Sequence, residues 1–290
     1  MVERDSLERF AVADPLYGTE LKKQYERIRF EYGQMIGRRG AGDRPVAEFG
    51  GHAPGLDAVA GCRSVGVLDT IVRPLIQSHG ATQYQHVVLQ LSRQNARPVQ
   101  YRYLCGVQPE WIHLYLNQRR WFTVDRSISQ AISDTAAFAG SSVGARGADQ
   151  REMQQAAREH GWVSWWAYPV HYRVREWLGI LYVANAMPVS DGGEAELARF
   201  ALPLKQLSTE LLEWRLQELR RGFSERHSLS GKEMRVLQYA MDGLSSGDVA
   251  DRLGLSVRTV YDINTAICEK IGINGIKDAA KYAWEEGIPA

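Results

Sequence analysis

The chain has 290 residues, of which 44% are hydrophobic and 24% are charged, and its formal net charge is +1. This composition is ordinary for a globular protein, and the length allows two domains with cores of their own. A net charge this small excludes binding to polyanions through overall charge, so any DNA binding must come from a local patch.

Cysteine usage and hydropathy indicate a cytoplasmic protein. Cys62, Cys105 and Cys268 are far apart and odd in number, which favours reduced thiols over a disulfide framework or a metal site. No segment approaches the roughly 18 apolar residues needed to span a membrane, and the first ten residues are charged rather than signal-like. We therefore expect no membrane partner.

Residues 1–61 are predicted to form a leader with one helix. Apolar and charged faces alternate from Leu21 to Ile36, after Asp14 and Pro15, which predicts that helix. Gly and Pro are dense from Gly37 to Gly61, so this stretch is expected to be an irregular loop. The helix is expected to pack across a dimer or onto the following domain.

Residues 62–221 are predicted to be a ligand-binding and dimerisation domain. Two β-rich segments separated by a polar turn predict an antiparallel hairpin. The predicted elements are helix 65–78, strands 85–91 and 99–104, helices 110–119, 127–135 and 150–160, strands 164–172 and 177–184, and a helix over 193–221 kinked at Pro203. This order implies an α/β/α sandwich around a mostly antiparallel sheet, within an α+β chain.

A linker is predicted at residues 222–228, followed by an all-α four-helix domain at 229–290. Ser230 and Glu233 have the spacing of a capping box, which starts the first helix. The second helix ends at Gly254, and Ser256 caps the third. Two short helices joined by a Gly-containing turn predict a helix-turn-helix whose third helix enters the major groove of DNA.

Residues 229–287 resemble the C-terminal domain of LuxR-type transcription regulators, the quorum-sensing family. Glu233, Leu237 and Gly243 match the three most constant positions of that domain, and further positions agree at Ala250, Leu253, Thr259, Val260 and Lys270. The resemblance implies DNA binding. The candidate DNA contacts are Ser256, Arg258, Thr259, Asp262, Thr265 and Lys270.

The charge of this domain departs from that expectation. From Ser228 to Ala290 there are seven Lys plus Arg against nine Asp plus Glu, a net charge of −2. Contacts to phosphate need local positive charge. We therefore expect each domain to bind DNA with low affinity, which dimerisation or Arg220, Arg221 and Arg226 would raise. The alternative is a four-helix module that packs on a protein partner and binds no nucleic acid.

A second group of residues predicts a ligand cavity. Trp111 and Tyr115 are four apart on one helix face, so they can wall a cavity with their N–H and O–H groups. A buried Asp125 beside them would need an N–H partner to offset its desolvation. Aromatic residues at this spacing are also typical of an ordinary hydrophobic core.

The same residues resemble the autoinducer-binding domain of the LuxR-type family, with one residue inserted before Trp121. In that family the residues matching Trp111 and Tyr115 donate to the lactone and acyl carbonyls of an acyl-homoserine lactone, and the residue matching Asp125 accepts from its amide. The resemblance implies these roles here. Further candidate ligand contacts are Trp121, Tyr101, Tyr103, Phe138 and Trp165.

Three positions depart from that family pattern. Arg126 stands where the family has Pro, Phe138 is the nearest aromatic to the family's next Trp, and Trp165 falls where a pocket Gly is usual. The large side chain of Trp165 either fills the cavity, giving a ligand-independent regulator, or reshapes it for another molecule, such as a flat aromatic one.

Two hypotheses of function remain, and neither is enzymatic. The motif Gly140-Ser141-Ser142-Val143-Gly144 fits G-x-S-x-G but lacks the strand-turn-helix context of a nucleophile elbow, so we expect a loop without catalysis.

The first hypothesis is a ligand-modulated regulator that binds a palindromic operator as a homodimer and needs no cofactor or metal. The second is an interaction protein that sequesters another regulator in heterodimers.

Overall fold

The computed structural model describes residues 55–63, 65–94, 98–106, 110–111, 114–115, 121, 125–173 and 176–290. These residues form two compact units, one reaching Leu212 and the other running from Glu213 to Ala290. The predicted leader helix at Leu21 to Ile36 lies outside the described residues, as does most of the predicted helix 110–119.

The first unit is built on an antiparallel sheet. Its elements, in chain order, are α1 (Asp57–Gly61), α2 (Val65–Ser78), β1 (Gln83–Leu91), β2 (Pro98–Cys105), α3 (Arg126–Ser133), β3 (Phe138–Ala139), a 3-10 turn (Gly140–Ser142), α4 (Ala148–Glu159), β4 (Ser164–Tyr172), β5 (Trp177–Asn185), a 3-10 turn (Val189–Asp191), α5 (Gly193–Ala198) and the first part of α6 (Ala201–Arg226), which continues into the second unit. The five strands lie in the order β2-β1-β5-β4-β3, and every neighbouring pair is antiparallel. This confirms the predicted sheet and hairpin, while the two-residue strand β3 was not predicted.

Helices cover both faces of this sheet. On one face, Val87 and Ile180 belong to a core shared with Ile128 of α3, and Met153 of α4 packs against it. On the opposite face, the Tyr84 hydroxyl donates to Asp69 of α2 at 2.6 Å. Because successive strand residues point to opposite faces, a strand covered on both sides is buried throughout, as β5 is. The α/β/α arrangement is therefore confirmed.

The predicted helix over 193–221 is two helices rather than one kinked helix. The α-helical hydrogen-bond pattern is interrupted by a turn at Arg199 and Phe200, between α5 and α6. Pro203 then lies in the first turn of α6, where backbone N–H groups have no intrahelical acceptor, so proline costs no hydrogen bond there. The predicted kink at Pro203 is wrong because the break comes before it. Helix α6 continues to Arg226, so the first five residues of the predicted linker are helical.

Four helices form the remainder of the second unit: α7 (Gly231–Met241), α8 (Ser246–Leu253), α9 (Val257–Ile271) and α10 (Ile276–Glu285). The predicted capping box is present, since Ser230 N donates to the Glu233 carboxylate at 2.7 Å and Glu233 N donates to Ser230 Oγ at 3.3 Å. Gly254 ends α8 at φ 62°, a left-handed conformation that favours glycine. The turn it makes joins α8 to α9, which confirms the predicted helix-turn-helix. No helix among the described residues is long and apolar enough to cross a membrane.

Candidate functional site

A cavity of about 390 Å³ lies in the first unit, against the sheet face that packs on α3 and α4. This volume is in the range of small-molecule sites. Four predicted ligand contacts line it, namely Trp111, Tyr115, Asp125 and Trp165. These four residues therefore lie around one cavity.

Two other predicted contacts belong to the aromatic core beside the cavity rather than to its lining. The Trp121 ring lies 6.1 Å from that of Trp111 and 6.3 Å from that of Tyr115, and the Phe138 ring meets Trp165 edge-on at 6.3 Å. They support the wall by packing. The backbones of Tyr101 and Tyr103 pair with Leu89 and Val87 across the β1–β2 ladder, and their side chains lie outside the described residues.

Asp125 is the polar centre of the cavity wall. One carboxylate oxygen accepts from the Tyr115 hydroxyl at 2.8 Å, and the other accepts from Ser127 N at 2.9 Å and Ser127 Oγ at 2.6 Å. The residue is also the N-cap of α3, a role the sequence analysis did not assign. Burial raises the pKa of Asp125 above its ordinary value, against the opposing effect of the hydrogen bonds from Ser127 and Tyr115.

The donors and acceptors around Asp125 define what a ligand could add. The carboxylate accepts from Tyr115, from Ser127 N and Oγ, and from the Ile128 backbone, so a ligand N–H would share its oxygens with these donors or replace one of them. The single hydroxyl proton of Tyr115 is engaged with Asp125, so donation to a ligand carbonyl would require that proton to turn away. Among the described residues, the Trp111 indole N–H has no hydrogen-bond partner, which leaves it available to a ligand acceptor.

Trp165 forms a wall of the cavity and does not fill it. Its ring packs edge-on against Phe138 and lies 5.9 Å from the ring of Tyr182. Gly140 permits this position, because a Cβ there would come within 2.5 Å of the Trp165 indole. Of the two alternatives for Trp165, the arrangement favours a reshaped cavity with an aromatic wall.

Several cavity residues were missed by the sequence analysis. On α4 they repeat at helical spacing, and on the sheet they follow the two-residue alternation of β1 and β5, so both signals were available in the predicted elements. The missed residues include Gln85, Gln150, Met153, Gln154, Ala157 and Tyr182. The sequence alone did not show which face of each helix or strand faces the cavity.

The G-x-S-x-G segment is structural. Ser141 donates through both its N–H and hydroxyl to the Glu194 carboxylate, at 2.7 and 2.5 Å, and Ser142 Oγ donates to the Ala139 carbonyl at 2.6 Å. Arg126 bonds the Gly144 carbonyl. The segment is therefore a turn held by hydrogen bonds beside the cavity, with β3 ending at Ala139 just before it and the 3-10 turn covering its first three residues.

In the second unit, α9 exposes four of the predicted DNA contacts, namely Arg258, Asp262, Thr265 and Lys270, and Ser256 is exposed at its N-cap. Ser256 and Thr259 serve the helix itself, since Thr259 N donates to Ser256 Oγ at 3.0 Å and the two hydroxyl oxygens lie 2.8 Å apart. Of the predicted contacts on α9, only Thr259 is half-buried rather than exposed.

Lys270 is exposed and forms an ion pair with Glu233 of the same domain. Its ammonium group donates to both carboxylate oxygens of Glu233, at 2.7 and 2.8 Å, and so connects α9 to the cap of α7. Burial alone would raise the pKa of Glu233, but hydrogen bonds from Lys270 and Ser230 outweigh it and hold that pKa below its ordinary value. A contact between Lys270 and DNA would compete with this pair.

Tyr261 was missed among the exposed residues of α9. It is 60% exposed and lies one turn from Val257, which is 44% exposed. Val257 and Tyr261 are four residues apart, so their side chains are neighbours on the surface of α9. Its position three residues after Arg258 was the signal in the sequence.

Comparisons with known proteins found one matching family and several similar structures. Residues 227–283 match the family described as bacterial regulatory proteins, luxR family. A crystal structure of Escherichia coli SdiA is 16% identical with a TM-score of 0.47, covering 81% of this chain and 96% of that one. SdiA in complex with octanoyl-rac-glycerol is 17% identical with a TM-score of 0.46, covering 80% and 92%.

Another similar structure is CepR2 from Burkholderia cenocepacia, described as an N-acylhomoserine lactone dependent LuxR family transcription factor. It is 18% identical with a TM-score of 0.46, covering 56% of this chain and 92% of that one. No curated protein matches the sequence significantly. The matched residues 227–283 contain the helix-turn-helix of α8 and α9, and the chain therefore carries a luxR-family helix-turn-helix domain at its C-terminal end.

Proposed function

We propose that the protein is a ligand-modulated transcription regulator of quorum-sensing type, which senses an acyl-homoserine lactone or a related small signal. The observation that carries this proposal is Asp125, a half-buried carboxylate in the wall of a 390 Å³ cavity that Trp111 and Tyr115 also line. Because burial disfavours the charged carboxylate, an amide N–H of a ligand would stabilise it as a further or replacing donor. The luxR-family domain at residues 227–283 supplies the output.

The ligand would be held from several sides. Its amide N–H would donate to Asp125, and a carbonyl oxygen would accept from the Trp111 indole. The Tyr115 hydroxyl would turn from Asp125 and donate its hydrogen bond to the acyl carbonyl. The rings of Trp165 and Tyr182 offer flat apolar surface to the remainder of the molecule.

DNA would be read by α9. Arg258 is exposed near the start of this helix, where the recognition helix of a helix-turn-helix contacts base edges or phosphates. A homodimer would present two copies of α9 to a palindromic operator, since the two-fold symmetry of the protein would match that of the site. Dimerisation would also offset the weak attraction to phosphate expected of an acidic domain.

Thermal unfolding of the purified protein with a panel of acyl-homoserine lactones and aromatic compounds tests the sensor. A ligand that binds only the folded state raises the midpoint of unfolding, increasingly so with its concentration. Asp125→Asn should abolish the rise, because asparagine keeps the N-cap of α3 but loses the anionic acceptor.

Ser129→Ala, at an exposed position of the same helix, is the matched control and should leave the rise intact. A midpoint that no compound changes, or a rise that survives Asp125→Asn, would contradict the proposed ligand site.

The second candidate is a protein that acts by heterodimerising with another regulator, with or without a ligand. The observation that favours it is the acidic balance of the helix-turn-helix domain together with the exposed Val257 and Tyr261, which suit a protein partner. The two candidates differ in DNA binding. Specific binding of the purified protein to DNA would support the regulator, and its absence would support the interaction protein.

A further inference from the structure

Gln85 is a polar side chain inside the cavity wall to which no role has yet been given. It lies on β1, on the same sheet face as Val87, and the two residues line the cavity together. Only 7% of Gln85 is exposed, so its surroundings are protein and cavity rather than bulk water. A buried amide in this position needs hydrogen-bond partners.

The amide of Gln85 has no hydrogen-bond partner among the described residues. Neighbouring glutamines behave differently: Gln83 Nε2 donates to the His160 carbonyl at 2.7 Å, and Gln154 Nε2 donates to the Val143 carbonyl at 3.0 Å. Gln83 Oε1 and Trp162 Nε1 are fully enclosed and lack a partner in the described part of the chain. The amide of Gln85 differs from them because it is not fully enclosed. Its accessible part is therefore cavity surface, open to a ligand.

Gln85 lies close to the polar centre at Asp125. It is directly opposite Tyr182 in the antiparallel pairing of β1 with β5, and residues paired in this way have Cβ atoms about 4.5–5.5 Å apart. The Tyr182 hydroxyl lies 3.0 Å from Ser127 Oγ, which donates to Asp125. One wall thus carries two polar points, the carboxylate of Asp125 and the amide of Gln85, with Tyr182 and Ser127 between them.

We propose that Gln85 determines ligand specificity by binding a second oxygen atom of the ligand, a carbonyl or hydroxyl on its acyl chain. The inference rests on the proposed sensor function, in which Asp125 holds the ligand amide. The Gln85 amide would donate to that oxygen a few bonds along the chain. An unsubstituted acyl chain would leave the amide unpaired against methylene groups, so the site discriminates against it.

The test compares N-(3-oxooctanoyl)-homoserine lactone with N-octanoyl-homoserine lactone by isothermal titration calorimetry. The two compounds differ in one carbonyl oxygen. The wild-type protein should bind the oxo compound about 3- to 10-fold more tightly, the value of one neutral hydrogen bond. In Gln85→Met, which keeps the length of the side chain, the ratio should fall to about 1 because the donor is lost.

Gln154→Met is the control, because Gln154 lines the same cavity but its amide is already bonded to the Val143 carbonyl. This variant should change both affinities alike and keep the ratio of the wild type. Gln85→Leu repeats the test with a second side chain, and unfolding without ligand checks that each variant folds.

Equal affinity of the wild type for the two compounds overturns the inference, even if neither Gln85 variant folds. So does a preference for the oxo compound that survives Gln85→Met. Both results leave the sensor function standing. Failure of the wild type to bind either compound overturns the inference and removes acyl-homoserine lactones from the proposed function.

Discussion

The ion pair between Glu233 and Lys270 allows a graded test of how the helix-turn-helix domain is held together. Glu233 accepts three contacts, one from Ser230 N and two from the Lys270 ammonium. Glu233→Gln keeps the capping box, which accepts Glu or Gln at this position, but loses the charge facing Lys270. Glu233→Ala loses both. The two substitutions therefore separate the cap from the ion pair.

The cap contributes about 1 kcal/mol. The ion pair contributes about 1 kcal/mol or less, because the Lys270 side chain is 37% exposed and solvent screens the attraction. Glu233→Ala should therefore lower the free energy of unfolding of this unit by about 2 kcal/mol, and Glu233→Gln by about half as much. Lys270→Met should cost nearly as much as Glu233→Gln, and the two together should cost less than their sum.

Native-state hydrogen exchange of the full chain, measured by mass spectrometry against urea concentration, reports the stability of peptides from α7 and α9. The pKa of Glu233 is lowered on folding, so its contribution is present above its ordinary pKa of 4.5 and is lost as the pH falls through the lowered value. Additive effects of Glu233→Gln and Lys270→Met, or equal losses in Glu233→Gln and Glu233→Ala, would refute the reasoning.

Three further predictions concern the cavity and the DNA-facing helix. Gly140→Ala should displace the Trp165 ring and lower stability by about 1–3 kcal/mol, seen as a lower unfolding midpoint, and an unchanged midpoint would contradict the close packing. Arg258→Ala should weaken operator binding by about 1–3 kcal/mol in a fluorescence anisotropy titration, while the exposed Lys281→Ala on α10 should not. Because the pKa of Asp125 is raised above its ordinary value of 3.8, the ionised carboxylate destabilises the fold, and this destabilisation decreases as the pH falls. Ligand affinity needs the ionised form, so calorimetry should show it falling over the same pH range. An affinity that does not change with pH would contradict the role of Asp125.

The sequence predicted the regular elements well because their signals are local. The helix 65–78, strands within a residue or two of β1, β2, β4 and β5, and the capping box at Ser230 all depend on residues close together in the chain. The end of α8 at Gly254 was predictable for the same reason, since a left-handed residue favours glycine.

The features that were predicted wrongly or not at all depend on tertiary structure. The break at Arg199 and Phe200 gives no strong local signal, whereas Pro203 does, so the kink was predicted at the wrong residue. The ion pair that engages Lys270 joins residues 37 positions apart, which spacing on α9 alone could not indicate. The same holds for Gln85, whose place in the cavity follows from which face of β1 is covered.

Ligand-dependent recognition of DNA is the central claim, and selection from a random-sequence DNA pool by the purified protein tests it most directly. The selection would be run with and without a lactone that raises the unfolding midpoint. The account predicts enrichment of a two-fold symmetric sequence with half-sites about one helical turn apart, a yield that changes with ligand, and its loss in Arg258→Ala. Enrichment of no sequence, or an identical yield with and without ligand, would contradict it.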